Sequence, residues 1–373
     1  MKISPLRVRV LVQKEMRQLL RDPKTKRMTF AAPIIQLLLF GYAVNTDVRN
    51  LATVVVDQDQ TAVSRLLEER LTASGYFRIV ERSDRAVEIQ GALDGGRAVV
   101  GVQIPPGFTE NLEAGRRAQL QVLIDGTSSN TATVAQGYVG RIVQEFAAEQ
   151  AAHRGLAIAG GIDLRSRAWY NPDLASQDYN VPGIIGLLLM LMALLLTSLG
   201  VVRERELGTL EQLMVSPISP RELILGKTIP VVIICLIDLA LITTVAVLWF
   251  GIPLRGSLVT LVAGSFLYIL AGLGFGLLIS TISKTQQEAF LTMFLFFLPA
   301  IILSGFMYPV DTMPPFFQDF SRLNPIRYFM EMVRNIFLKG HGFSELWLHF
   351  TVLTFMAILA LLAAGSRFRK SLE

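Results

Sequence analysis

VPGIIGLLLMLMALLLTSLGVV, Val181–Val202, contains no charged side chain and settles the environment of the chain. A helix needs about 20 consecutive apolar residues to cross the hydrocarbon core of a bilayer. This stretch meets that length, with a Leu/Met run through Leu187–Leu196. Four more apolar runs follow it: Ile229–Phe250, Ser257–Thr281, Ala289–Pro309 and Leu346–Ala364. One precedes it, Met28–Thr46, weakened by Pro33 and Gln36. No small-residue cleavage site follows that run, so it reads as an uncleaved signal anchor.

Composition agrees. Of 373 residues, 52% are hydrophobic and 17% charged, against about 25% charged in soluble domains. The deficit is confined to one part of the chain. Asp47–Asp178 has the make-up of a soluble domain, and Val181–Gly365 is dominated by apolar runs. The expected fold class is a mainly α-helical polytopic membrane protein with six transmembrane helices and an inserted α/β extracytoplasmic domain.

Six spans put both termini on one side, and basic residues in short loops mark the cytoplasm. The segment before Met28 holds nine, from Lys2 to Arg27. Arg203, Arg205, Arg221, Lys227, Lys284, Arg367, Arg369 and Lys370 share that face, making 17. The opposite short loops hold five: Arg255, Arg322, Arg327, Arg334 and Lys339. Both termini are therefore expected in the cytoplasm. Residues 47–178 are Arg-rich too, but a segment of that length is translocated regardless of charge. The net charge of +5 follows from this topology and gives no reason to invoke nucleic acid.

In the soluble segment, Leu51–Val56, Ala98–Ile104 and Leu120–Ile124 read as strands. Thr61–Thr72 and Thr131–Arg154 have helical spacing. Asp57 and Asp59, at a strand end, offer oxygens to a cation but read first as turn chemistry. The lone Cys235 permits no intrachain disulfide, and no metal site is expected. His153, His341 and His349 lie apart, with no catalytic grouping. Gly226-Lys227-Thr228 imitates the end of a phosphate-binding loop. The first glycine of that motif would fall on Arg221, and no strand precedes it, so ATP binding is rejected here.

The connection after Val202 reads RERELGTLEQLMVSPISPRELILGKTIP. Ser219-Pro220 followed by Arg221-Glu222 fits a capped helix start. About 25 residues exceed what a connector needs, which suggests a partner surface. The segment resembles the coupling region of type-2 ABC exporter permeases. The family pattern E-x-G-T-x-E-x-L is present as Glu206, Gly208, Thr209, Glu211 and Leu213, with Pro217, Glu222, Gly226, Lys227 and Pro230 in place. Leu303–Gly340 is similar to the family's external loop, with Pro309, Met313-Pro314, Asn324-Pro325, Tyr328, Arg334 and Gly340. VVVDQDQTAVSRLL and Ile104–Phe108 resemble the subgroup with a large extracytoplasmic domain between spans one and two.

The resemblance implies a division of the chain. Residues 1–27 form a cytoplasmic amphipathic elbow helix, 28–46 the first span, and 47–180 the outer domain. Residues 181–366 carry spans two to six, with a coupling loop at 203–228 and an external re-entrant loop at 310–343. Residues 367–373 form a cytoplasmic tail. It implies a transport subunit, not an enzyme, moving hydrophobic or amphipathic molecules such as drug-like compounds or lipids out of the cytoplasm or inner leaflet. No cofactor is expected in this chain; ATP and Mg belong to a separate ATP-binding cassette subunit. Other implied partners are a second permease copy, identical or paralogous, membrane lipid and a periplasmic adaptor protein. The implied location is the bacterial inner membrane.

Arg7, Lys14 and Arg17 would mark the elbow helix, whose apolar Val8, Leu11, Val12 and Leu19 suit an interfacial helix. In similar exporters spans two and five line the route, which places Met190, Leu194, Phe294, Phe297 and Phe306 near it. Asn324, Pro325 and Arg334 would form the external gate. Asp238 lies ten residues into span three and would cost about 2.5–3.5 kcal/mol on insertion scales. It reads as an interhelical hydrogen bond, with Thr243 of a neighbour or with Gln36, or as a substrate or proton site. Gly272 and Gly276 form G-x-x-x-G, a close-packing face. Three competing readings are a secondary transporter using Asp238, a membrane sensor with an extracytoplasmic receptor domain, and an intramembrane enzyme. The first would want more intramembrane charges and inverted repeats. The second would want a signalling domain, and the third a paired catalytic constellation.

Overall fold

The computed structural model describes residues 4–43, 50–126, 129–153, 175–208 and 218–370. Thr46, Arg154, Thr209, Glu211, Leu213 and Pro217, all invoked above, lie outside them. The chain divides into two compact units, Thr46–Ser166 and Met1–Asn45 with Arg167–Glu373.

The first unit holds a four-stranded sheet in the order β2-β1-β3-β4. Its strands are β1 (Leu51–Asp57), β2 (Phe77–Ser83), β3 (Val100–Ile104) and β4 (Gln121–Ile124). β1 pairs in parallel with β2 and β3, and β4 closes antiparallel on β3. Between them run α3 (Ala62–Ala73), α4 (Val87–Asp94) and α5 (Phe108–Glu113), with α6 (Ser129–His153) after β4. The apolar run in β1 is continuous because both faces are covered. Leu51 and Val55 pack with Leu67 and Leu71 of α3 and Val139 of α6, while Val54 and Val56 pack with Ile89 and Ala92 of α4.

Strand β2 escaped the sequence reading. FRIVERS puts Arg78, Val80 and Arg82 on its exposed positions and the charged Glu81 on a half-buried one, so apolar and polar residues do not alternate and its period-2 signal is faint. Asp57 and Asp59 are engaged in turn chemistry. Asp57 Oδ1 accepts from the amides of Asp59 and Gln60. Asp59 Oδ2 accepts from the Thr109 amide and from the hydroxyls of Thr109 and Thr61, at 3.1, 2.5 and 3.0 Å. Burial alone would raise the Asp59 pKa, but these donors outweigh it and hold it below the ordinary value.

The second unit is helical: α1 (Pro5–Arg21), α2 (Pro23–Ala43), α7 (Ser176–Glu206), α8 (Pro220–Leu248), α9 (Leu258–Ile282), α10 (Gln286–Ile302), α11 (Pro315–Ser321), α12 (Pro325–Arg334) and α13 (Trp347–Lys370). Among the described residues, four stretches are long and apolar enough to cross a membrane: Ser176–Glu206, Glu222–Leu248, Leu258–Ile282 and Trp347–Arg367. The other two expected spans are helical but fall short. Helix α2 opens with Lys24, Lys26 and Arg27 and is diluted by Pro33 and Gln36. Helix α10 has 17 residues and ends at Ile302, not near Pro309, because Gly305 turns into the left-handed region at φ 81°.

Helix α7 is buried nearly all round, which is why its sequence shows no polar face. The G-x-x-x-G face of α9 is spent within the chain. A Cβ on Gly272 would lie 3.0 Å from Ala193 Cβ, and one on Gly276 would lie 2.8 Å from Thr197 Cβ. Gly274, between them in sequence, meets the backbone of α13 instead. Two helices thus approach α9 closely on different sides.

Candidate functional site

Three helix ends converge on one group of charges. Helix α1 uses Val8, Leu11, Val12 and Leu19 as its covered side and leaves Leu6, Val10 and Leu20 exposed. It lies against α8 where Gly226 removes the side chain that would otherwise intervene: a Cβ there would fall 2.6 Å from Leu11 Cβ. The next residue, Lys227, pairs with Glu204 at the end of α7, Nζ to Oε2 2.7 Å, and reaches Glu15 at 3.5 Å. Lys14 contacts the other Glu204 oxygen at 2.6 Å and Glu15 at 3.1 Å. Glu204 and Lys227 side chains are only 6% and 8% exposed. Burial would lower the Lys14 pKa, but the Glu204 hydrogen bond and the charges of Glu15 and Glu204 outweigh it and hold it above the ordinary value.

A second tie lies one helical turn away. Ser219 caps α8 in a reciprocal box with Glu222, as its Ser-Pro-Arg-Glu sequence predicts. Glu222 Oε2 accepts from the Ser219 amide at 2.7 Å, and its Oε1 accepts from the Ser4 amide, also at 2.7 Å. Arg7 stands 3.8 Å from the same carboxylate. One fully buried carboxylate therefore serves the starts of both α1 and α8. Arg205 donates to the carbonyls of Ser280 and Ser283 at the end of α9. Glu206 accepts from the Gln286 side chain at 2.7 Å. Gly208 takes φ 72°, a left-handed turn that glycine allows.

The expected Arg7, Lys14 and Glu206 thus enter one region, with Arg17 exposed on α1. Thr209, Glu211 and Leu213 belong to the undescribed residues. Sequence reasoning missed Glu204 and Glu15, and it met Lys227 as a cytoplasmic basic residue, a member of the coupling-region pattern and a false phosphate-loop lysine, without its partners. A lysine at the mouth of an apolar span, next to a glycine, was the available signal.

At the opposite end of this unit, Asn324 caps α12 through the Ile326 amide and donates to the Ala300 carbonyl at 2.6 Å. Pro325 is the first residue of α12, which inserts Ile326, Phe329, Met330, Met332 and Val333 into the core. Phe329 stacks on Tyr268, whose hydroxyl donates to the Gly186 carbonyl. Arg334, at the end of α12, lies over the Tyr179 ring.

The five expected pathway residues do not share one open face within this chain. Met190 and Leu194 are fully buried on the side of α7 that faces α9. Phe297 is buried, Phe294 pairs with Phe290, and Phe306 approaches Gly183. Asp238 is 1% exposed, and neither of its oxygens has a hydrogen-bond partner among the described residues. The Thr243 hydroxyl is likewise unpartnered among them.

The sequence model of the ABC-2 family transporter protein matches residues 27–365. The chain is 36% identical over 341 residues to the probable multidrug ABC transporter permease YbhS of Escherichia coli, covering 91% of this chain and 90% of that one. It is 34% identical over 341 residues to the probable multidrug ABC transporter permease YbhR of Escherichia coli, covering 91% and 92%. With the inner membrane transport permease YhhJ of Escherichia coli, identity is 30% over 379 residues, covering 96% of each.

Proposed function

Because this chain belongs to the ABC-2 family of transporter proteins, we propose that it is the permease subunit of an ATP-driven exporter whose ATP and Mg sit on a separate ATP-binding subunit. A second permease copy completes the pathway. In this reading α2 and α10 join the four longer helices to make six spans, with both termini and the α1 end of the bundle in the cytoplasm. The Thr46–Ser166 unit is then extracytoplasmic, where a periplasmic adaptor protein would meet it. The membrane is the bacterial inner membrane, and its lipids bathe the exposed apolar faces. The cargo is hydrophobic or amphipathic, in keeping with the names of the relatives.

One observation carries the reading: the joint of Lys14, Glu15, Glu204 and Lys227 ties α1 rigidly to the ends of α7 and α8. The E-x-G-T-x-E-x-L pattern begins at Glu206, the last residue of α7, and runs on from it in sequence. A push on that segment by a partner reaches α1, α7 and α8 together. Nucleotide binding would act by favouring one of two arrangements of these helices. Membranes expressing the chain with its native neighbours are expected to yield a complex with an ATP-binding subunit. Glu211→Lys is expected to abolish efflux while leaving the chain's melting temperature unchanged. Purification with no such partner, together with wild-type efflux by Glu211→Lys, would defeat the reading.

Asp238 is the polar point on the proposed route. Its carboxylate has no partner among the described residues, so Asp238→Asn removes the charge and with it part of an insertion cost of about 2.5–3.5 kcal/mol. The variant is expected to keep or raise the melting temperature and to slow efflux. Unchanged efflux would remove Asp238 from the mechanism.

A further inference from the structure

The Arg334 guanidinium is held by two segments, the start of α7 and the turn beyond α10, yet one of its nitrogens is unused. Its central carbon lies 3.6 Å from the centroid of the Tyr179 ring, at the start of α7. Nε donates to the Tyr179 carbonyl at 3.3 Å, and Nη1 donates to the Gly305 carbonyl, beyond α10, at 3.4 Å. Nη2 is buried with no hydrogen-bond partner among the described residues. Residue 183 is glycine, and a Cβ there would lie 3.3 Å from Nη2 and 3.0 Å from the Phe306 ring, so the guanidinium and that ring pack directly on the α7 backbone. Glu331, one turn back along α12, is taken by His349 at 3.0 Å and Arg327 at 3.6 Å.

Burying a guanidinium against aromatic rings with an idle N–H is costly unless an anion meets it. A planar fork stacked on tyrosine is pre-oriented for carboxylate or phosphate oxygens. The segment that supplies Gly305 and Phe306 also supplies Ile302 and Leu303 to a groove of about 470 Å³, lined further by Pro299, Tyr308, Pro314 and Phe317. That lining is apolar enough for an alkyl chain.

We infer that Arg334 recognises the anionic headgroup, carboxylate or phosphate, of an amphipathic cargo whose apolar chain lies along the Ile302–Leu303 groove. The inference rests on the exporter reading for its cargo, but its test does not require transport. The full-length chain is reconstituted in phosphatidylcholine nanodiscs and titrated with dansylundecanoate and with its methyl ester. Wild type is expected to bind the acid about tenfold more tightly than the ester, the scale of one hydrogen bond to a charged group. Arg334→Gln is expected to erase that preference while still binding the ester, which also reports a folded chain. Arg334→Lys, which keeps the charge and loses the stacked fork, is expected to retain only part of the preference.

Dihexanoyl phosphatidate is expected to displace the probe, and inorganic phosphate at equal concentration is not. Equal wild-type affinity for acid and ester overturns the inference, as does a full preference in both variants. Equal displacement by the two phosphates overturns the amphiphile assignment. The exporter reading fails separately. A chain with no ATP-binding partner that still prefers the acid keeps this site and loses that reading.

Discussion

Glu204→Ala is expected to destabilise the helical unit by about 3 kcal/mol, the low end of the range for breaking a buried ion pair. The carboxylate holds Lys227 at 2.7 Å and Lys14 at 2.6 Å. Its removal leaves Lys227 buried with Glu15 and the Gly200 carbonyl, each at 3.5 Å, which is why the low end applies. Lys14→Ala is expected to cost under about 1 kcal/mol, because that side chain is half-exposed and screened. A Glu204→Ala/Lys227→Met pair should recover most of the loss, since no charge is then stranded. Melting of the purified chain, followed by tryptophan fluorescence, separates the three variants. Equal melting of wild type and Glu204→Ala would show that the cluster is not a structural joint.

The same cluster has an alkaline signature. The Lys14 pKa is raised in the fold, so its contribution is complete below the ordinary value near 10.5 and is lost as pH rises through the folded one. Glu204→Ala should shrink that alkaline step, since Glu15 still faces Lys14.

Gly274→Ala is expected to cost about 1–3 kcal/mol or more, although it adds one methyl group. The added Cβ would stand 2.5 Å from Ala360 Cβ, 2.8 Å from the Ala360 carbonyl carbon and 2.9 Å from the Leu361 nitrogen. Two of those atoms are backbone and cannot move aside by changing rotamer, so α9 and α13 must separate. Gly91 supplies the control. It lies in α4 with nothing within 4 Å of an added Cβ, so Gly91→Ala should be neutral or gain up to about 1 kcal/mol from helix propensity. A melting temperature unchanged by Gly274→Ala would mean that the α9–α13 contact is looser than its geometry.

Much of the fold was legible because its signals are local. Apolar runs gave the long helices, the Ser219-Pro220 box gave the start of α8, and β-branched runs gave β1 and β3. What escaped depends on partners distant in sequence. Gly272 and Gly276 were readable as a motif, but Gly274 gains its meaning only from Ala360 on another helix. Met190 and Leu194 gave no sign in the sequence that they pack against Gly272 and Gly276 of α9. Glu204 gave no periodic signal, since its two lysines stand 190 and 23 residues away. Arg334 was legible as part of a loop motif, while its stacking on Tyr179 across 155 residues was not.

Helix α1 emerges 190 residues ahead of the Glu204 it is tied to, and Ser4 emerges 218 residues ahead of Glu222. At about 5–20 residues per second, the ribosome takes roughly 10–40 s to make that stretch. Through this interval Leu11 lacks Gly226 and Lys14 lacks Glu204. An amphipathic, strongly basic helix survives such a wait by resting on the lipid surface. The pattern that lets α1 seat on α8 in the finished protein would then also protect it during biosynthesis. Substitutions on its apolar side should therefore lower yield before they alter the activity of the chains that do assemble.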